Sequence, residues 1–136
     1  MKTNRINTLA TLIVAGVLGL HSAQAQETQL GEVQRTDLLR HDISVPGREA
    51  VQVLVKFAPG VVVPRHSHPG EEIIYVVEGV LEYQLDGKAP VALKAGDALL
   101  IPYGTSHAVK NVGFATAAEL ATYIVEKGKP LVAVAP

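Results

Sequence analysis

Residues 60–79 read GVVVPRHSHPGEEIIYVVEG, a run rich in valine and isoleucine that glycines bound at both ends. Similar short runs occur on both sides of it, and most of them alternate apolar with polar residues at the period of a β-strand. Turn signals separate these runs, and Asp86-Gly87 is the strongest hairpin signal among them. The pattern predicts an all-β fold, either an antiparallel sandwich or a barrel. The runs that are predicted to be strands are residues 51–57, 73–77, 81–85, 91–93, 98–101, 107–112 and 116–125.

Four side chains in these runs form a candidate metal site. His66 and His68 are two residues apart, so both imidazoles lie on the same face of a strand. Glu72 follows the Pro69-Gly70 turn and can return to the same place, and His107 lies on a later strand. Three imidazoles and one carboxylate are a ligand set for a first-row divalent metal. An octahedral ion with four such ligands keeps two positions open, which favours a catalytic site over a structural one.

The residues also allow other interpretations. The four side chains can form a hydrogen-bonded polar cluster without a metal, and Glu71 becomes a ligand only if the strand register slips by one residue. Tyr103 can orient a substrate or donate a proton, or it is a surface tyrosine. Glu119 stands in an otherwise apolar strand, where it either lines the barrel or faces water. The tyrosines interpreted as packing residues are Tyr75, Tyr83 and Tyr123.

The spacing of these residues resembles that of the cupin family. Residues 60–79 fit the pattern GxxxxxHSHxxxExxxxxxG, which resembles the first cupin motif. Residues 96–111 fit GxxxxxPxGxxHxxxN, which resembles the second. Every fixed position of both motifs is matched, and the resemblance extends from about Ala50 to Val125.

The resemblance implies a fold and a site. The fold is a double-stranded β-helix, also called a jelly-roll barrel, with a mononuclear metal inside one open end. His66, His68, Glu72 and His107 take the metal-ligand positions, and Asn111 takes a structural position. The resemblance also implies a homodimer. The identity of the divalent ion stays open among Fe, Mn, Zn, Ni and Cu.

The N-terminal residues have the three parts of an export signal in the right order. Lys2 and Arg5 precede an uncharged apolar stretch at residues 9–20, and Ala23-Gln24-Ala25 offers the small-x-small pattern of a cleavage site. We therefore expect cleavage after Ala25 and a periplasmic or secreted protein. The expected boundaries are residues 1–25 for the signal peptide, 26–49 for an N-terminal extension around the outside of the domain, 50–126 for the cupin domain and 127–136 for a C-terminal tail.

Composition excludes several classes of function. Twelve basic residues nearly balance thirteen acidic ones, and no basic stripe favours nucleic-acid binding. The chain has no cysteine, so disulfides, thiolate ligands and a cysteine nucleophile are excluded. After the expected cleavage site, no apolar run is long enough to predict a membrane span.

Two functions agree with the sequence. In the first, the metal centre acts on a small oxygenated compound such as a diketone, an enol or a phenol, in a dioxygenase- or isomerase-like reaction. Glu72 is then the candidate general base, and Tyr103 is a second candidate catalytic residue. In the second, the protein binds a metal or a small molecule without converting it.

Overall fold

The computed structural model describes residues 33–134, which form ten β-strands and no helix. The expected signal peptide lies outside the described residues. Within residues 33–134, no helix is long and apolar enough to cross a membrane. The strands are β1 (Val33–Asp42), β2 (Arg48–Phe57), β3 (Val62–Ser67), β4 (Gly70–Glu78), β5 (Val80–Leu85), β6 (Val91–Lys94), β7 (Ala98–Ile101), β8 (His107–Asn111), β9 (Ala117–Glu126) and β10 (Ala133–Val134).

The strands form two antiparallel sheets of five strands each. The first sheet has the order β1-β2-β9-β4-β7, and the second has the order β10-β3-β8-β5-β6. After β2, most successive strands change from one sheet to the other, so the two sheets enclose one interior. This arrangement confirms the all-β class and the jelly-roll barrel.

The core follows from the alternation seen in the sequence. In β2, Val51, Val53, Val55 and Phe57 are buried, whereas the residues between them are only partly buried or exposed. The inward side chains of both sheets meet in a single hydrophobic cluster. Because burial of apolar surface is the dominant favourable term in folding, this alternation sets which face of each strand points inward.

Two strands were not predicted. Residues 33–42 were expected to wrap the domain as an extension, but they form β1, an edge strand that pairs with β2. Only Val33 in β1 is buried, so the strand lacks the alternation that marks a half-buried strand. The tail residues Ala133 and Val134 form β10 and pair with Ser67 and His66 of β3. Backbone hydrogen bonds hold both edge strands, and backbone pairing leaves little trace in side-chain pattern.

The Asp86-Gly87 turn is confirmed, but it does not close a two-residue hairpin. The amide of Lys88 donates to the carbonyl of Leu85 at 3.2 Å, and Gly87 has a φ of 70°. Residues 86–90 separate β5 from β6. The amide of Asp86 donates to the carbonyl of Ser106 at 2.9 Å, so the start of this loop also contacts the segment before β8.

Gly79, between β4 and β5, is required for two separate reasons. Its φ is 75°, a left-handed conformation that other residues rarely adopt. A Cβ atom at this position would lie 2.7 Å from Cα of Ala117, the first residue of β9. The motif glycine therefore permits both a turn and a close contact between strands.

The outer face of the first sheet carries exposed apolar side chains at its β7 edge. Ile73, Tyr75 and Val77 of β4 and Leu100 of β7 are each between 45% and 57% exposed. Tyr75 is thus an outward residue, whereas Tyr83 and Tyr123 pack in the core as expected. The homodimer stays a prediction.

Asn111 connects the end of β2 and the residue after it to the loop between β8 and β9, in agreement with the structural role that the resemblance implies. Its side chain is fully buried, and Nδ2 lies within 3.2 Å of the carbonyls of Phe57, Ala58 and Ala115. Its Oδ1 accepts a hydrogen bond from the amide of Gly113 at 2.9 Å. The side chain thereby satisfies buried backbone groups that have no partner in a sheet.

We expect Asn111→Ala to lower the free energy of unfolding by about 2–4 kcal/mol, because several buried backbone groups lose their partner. Urea denaturation followed by circular dichroism measures the change. Gln84→Ala is the control, since the hydrogen bond from Gln84 to the carbonyl of Lys88 is exposed. Equal losses for the two variants would contradict the structural role of Asn111.

Candidate metal centre

The four candidate ligands converge inside one end of the barrel. His66 and His107 stand opposite each other in the pairing of β3 with β8. His68 follows the end of β3, and Glu72 lies on β4 in the other sheet. All four side chains are at least nine-tenths buried. The structure therefore brings together residues from both sheets that are up to 41 positions apart in the sequence.

The distances between these side chains suit one small ion. The ligating nitrogens of His66, His68 and His107 lie within 4.8 Å of one another. Oε2 of Glu72 lies 3.1 Å from Nε2 of His68 and 3.2 Å from Nε2 of His107. These three histidines could hold a metal ion, and the Glu72 carboxylate adjoins the same point.

Backbone carbonyls orient all three imidazoles in the same way. Nδ1 of His66 lies 2.8 Å from the carbonyl oxygen of Pro64, and Nδ1 of His107 lies 3.0 Å from that of Thr105. Nδ1 of His68 lies 2.6 Å from the carbonyl oxygen of Leu131. A carbonyl can only accept, so each Nδ1 carries the hydrogen and each neutral ring keeps a free lone pair on Nε2. This is the usual support for metal-ligating histidines.

Two buried polar atoms test whether a cation fits. Nε2 of His68 and Oε2 of Glu72 have no hydrogen-bond partner among the described residues, although they lie 3.1 Å apart. Both atoms present lone pairs rather than a shared hydrogen, so their closeness is not a hydrogen bond. Buried acceptors that face one another are costly unless a cation lies between them. The donor set therefore fits a divalent metal.

Burial gives His66 the protonation state that a metal ligand needs. Burial lowers the pKa of His66 to about 4, so the ring is neutral near pH 7. Neutral imidazoles and an anionic carboxylate are the forms that bind a cation.

A cavity of about 740 Å³ adjoins this cluster. His66, Glu72 and His107 line one part of it, and valines with Phe57 form most of the remaining wall. Four further polar side chains also line it, namely Arg35, Tyr83, Glu119 and Tyr123. This answers the open question about Glu119, which faces the interior and is 4% exposed. The cavity lies within the size range of small-molecule sites.

Residues 53–123 match the family of cupin domains. The chain belongs to the cupin family. It is 34% identical over 84 residues to the oxalate-binding protein of Thermotoga maritima. The matched residues make up 61% of this chain and 68% of that protein. It is 33% identical over 64 residues to dimethylsulfoniopropionate lyase DddQ of Ruegeria pomeroyi. These 64 residues make up 46% of this chain. The match covers 32% of DddQ, so this chain corresponds to less than half of that lyase.

A solved structure shares the fold of this cupin. It is a protein with a double-stranded β-helix domain from Klebsiella pneumoniae, with a TM-score of 0.64 and 25% sequence identity. The similarity covers 79% of this chain and 87% of that protein. The agreement extends over most of the described strands.

Tyr103, the other candidate catalytic residue, is not brought into the cavity lining. Its ring is 47% exposed and lies under the guanidinium of Arg48, 5.4 Å from the ring centroid. Its hydroxyl donates to Glu126, and this hydrogen bond raises the pKa of Tyr103. A catalytic role for Tyr103 stays a prediction, and the structure gives its hydroxyl another partner. Glu71 is partly buried on the strand face opposite Glu72, as expected.

The C-terminal tail contributes to the site of this cupin in a way that the sequence did not predict. The Leu131 carbonyl orients His68, and Val132 and Val134 line the cavity. Tyr123 was expected only to pack, but its ring also stands edge-on to His68, with a centroid distance of 4.8 Å. The apolar composition of residues 131–134 was the signal that could have predicted this contribution, because apolar side chains tend to be buried against the rest of the protein.

We expect a chain that ends at Pro130 to bind metal about ten- to hundred-fold more weakly than the full chain, because His68 loses the carbonyl that orients it. Competition with a chromophoric chelator for Co²⁺ measures the affinity. A chain that ends at Val132 is the matched control, since it lacks β10 but keeps the Leu131 carbonyl. If both truncated chains lose affinity equally, β10 rather than that carbonyl supports the site.

The metal-free protein should lose stability in mild acid. The pKa of His66 is near its ordinary value of 6.5 in the unfolded chain and near 4 in the folded one, so the unfolded chain binds more protons between these values. The free energy of unfolding therefore falls as the pH is lowered from 6.5 towards 4. The total loss from His66 is about 3 kcal/mol.

Urea denaturation in the presence of a chelator, at several pH values across this window, measures the loss. His66→Leu should flatten the dependence, and His41→Asn, at an exposed position, should leave it unchanged. If the free energy of unfolding of His66→Leu still depends on pH in this window, groups other than His66 cause the loss.

Proposed function

We propose that this cupin is an exported, metal-dependent protein that acts on a small oxygenated compound in a dioxygenase- or isomerase-like reaction. The observation that carries the proposal is the convergence of three free Nε2 lone pairs and one carboxylate beside a cavity. A bound divalent ion would supply Lewis-acid character and a point of attachment for substrate oxygens.

The residues of the chain have distinct parts in this proposal. His66, His68 and His107 would hold the ion, and the carbonyls behind them keep the rings from rotating. Glu72 lines the cavity and would lie beside the ion, so its carboxylate can accept a proton from a substrate carbon or hydroxyl. The apolar walls exclude water and favour a substrate with an apolar body.

We expect Glu72→Gln to reduce turnover about hundred-fold or more while the protein still takes up metal, because the amide cannot accept the proton. Oxygen consumption by Fe²⁺-loaded protein over a set of small phenols and diketones provides the assay, and metal analysis verifies equal occupancy. Glu71→Gln is the control, since Glu71 lies on the opposite face of the same strand. Unchanged turnover at equal occupancy in Glu72→Gln would remove Glu72 as the base.

A second function is supported by one relative, which is named an oxalate-binding protein. In this alternative the cupin holds a metal or a small molecule without converting it. The same assay separates the two functions. If metal-loaded protein binds a compound from the set and consumes no oxygen with any of them, the binding function is favoured.

Export is part of the proposal and rests on the three-part N-terminal pattern. We expect the protein recovered from the periplasm or the medium of an expressing bacterium to begin at Gln26, because signal peptidase cleaves after small-x-small sequences. N-terminal sequencing or intact mass spectrometry identifies the first residue. Ala25→Arg should block processing, and Glu27→Gln, beyond the cleaved bond, should not. An unprocessed chain found only in the cytoplasm would contradict export.

A further inference from the structure

A buried carboxyl in the cavity wall has no part in the function proposed above. Glu119 of β9 points into the barrel between Val55 of β2 and Val76 of β4, its partners in the sheet. Tyr83 reaches it from β5 in the other sheet, and the Tyr83 hydroxyl donates to Oε2 of Glu119. Both side chains are at least nine-tenths buried and both line the cavity.

This pair is separated from the metal ligands by a layer of the barrel. On β9, Tyr123 pairs with Glu72, and Glu119 pairs with Val76. Four residues of strand span about 13 Å, which is the offset between these two levels along the first sheet. In the second sheet, Leu85 pairs with His107, and Tyr83 pairs with Val109, two residues further along. The cavity thus has polar groups at two levels.

Apart from Arg35, the cavity wall around the pair is apolar. Val55 pairs with Glu119, and Val109 pairs with Tyr83 and with Val63, so these valines lie at the level of the pair. A compound that reaches both polar levels must extend from the metal ligands into this apolar part of the cavity. A two-carbon acid such as oxalate is too short to do so, whereas a cavity of about 740 Å³ accepts a compound of two aromatic rings.

The burial of Glu119 is costly for the fold alone. Burial raises the pKa of Glu119 well above its ordinary value, the charge of Glu72 adds to this effect, and Arg35 opposes it. An apolar pair of similar volume would connect the two sheets without that cost. A neutral carboxyl beside a phenol can both donate and accept a hydrogen bond, which is the chemistry that recognises a hydroxyl group.

We propose that Glu119 and Tyr83 form a second binding site, which hydrogen-bonds a hydroxyl group at the far end of a rigid aromatic ligand whose near end binds the metal. The inference rests on the proposed function, since it takes a metal held by the histidine cluster. It adds the substrate class, an elongated phenolic compound with metal-binding oxygens at one end and one hydroxyl at the other.

Two matched probes test the second site. Biphenyl-3,4-diol carries only the metal-binding catechol, and biphenyl-3,4,4′-triol adds a hydroxyl at the far end. Both are titrated without oxygen into Co²⁺-loaded full chain, and the visible spectrum of the cobalt reports binding. We expect the triol to bind about ten-fold more tightly, as one buried hydrogen bond to a carboxyl group predicts. Glu119→Leu and Tyr83→Phe should bring the triol to the affinity of the diol, and Glu71→Gln should keep the preference.

The outcomes separate this inference from the function on which it rests. Equal affinity of the two probes for the unsubstituted protein overturns the second site and leaves the metal centre intact, and this comparison does not depend on the folding of any variant. A preference for the triol that persists in both Glu119→Leu and Tyr83→Phe also overturns it, because the pair would then only connect the sheets. Failure of the protein to bind Co²⁺, or of both probes to alter its spectrum, counts against the proposed metal-dependent function itself.

Discussion

The site depends on hydrogen bonds from three imidazoles to backbone carbonyls. Pro64 and Thr105 each supply a carbonyl to the histidine two residues later, and Leu131 supplies one to His68. Because each Nδ1 must donate, each Nε2 directs a lone pair to one point beside the Glu72 carboxylate. Four buried acceptors without a hydrogen between them repel one another, and a cation at their centre reverses that repulsion. The strands around them supply the rigidity that such an arrangement needs.

The barrel gives its two interior carboxyl groups opposite environments. Glu72 lies beside imidazole nitrogens that carry no hydrogen, so its carboxylate is positioned to face a cation. Glu119 lies among valines, and its burial raises its pKa. One fold thereby keeps an anion for a cation site and, a layer away, a carboxyl group whose neutral form is favoured. Pairs of titratable groups whose environments separate their pKa values are typical of functional sites.

The strands that the sequence predicted are those with one buried face. β2, β5 and β9 alternate buried with less buried residues along most of their length, so their side chains reveal the pleat. β1 and β10 gave no such signal, because their pairing is made by the backbone and their outward residues are exposed. The spacing of His66, His68, Glu72 and His107 was likewise readable, since it reflects positions on strand faces. The missed contributions were the Leu131 carbonyl and the Tyr83–Glu119 hydrogen bond.

The amino-acid sequence by itself determined the all-β class, the cupin motifs and the types of the four candidate ligands. Local periodicity and turn chemistry contain that information, because they act between residues a few positions apart. Only the tertiary structure decided which nitrogen each histidine presents, where the cavity lies and that Glu119 faces it. Those features depend on contacts between residues that are far apart in the sequence. His68 and Leu131 are 63 positions apart, and Tyr83 and Glu119 are 36 positions apart. Contacts of that range follow from the order and register of paired strands, which no local pattern specifies.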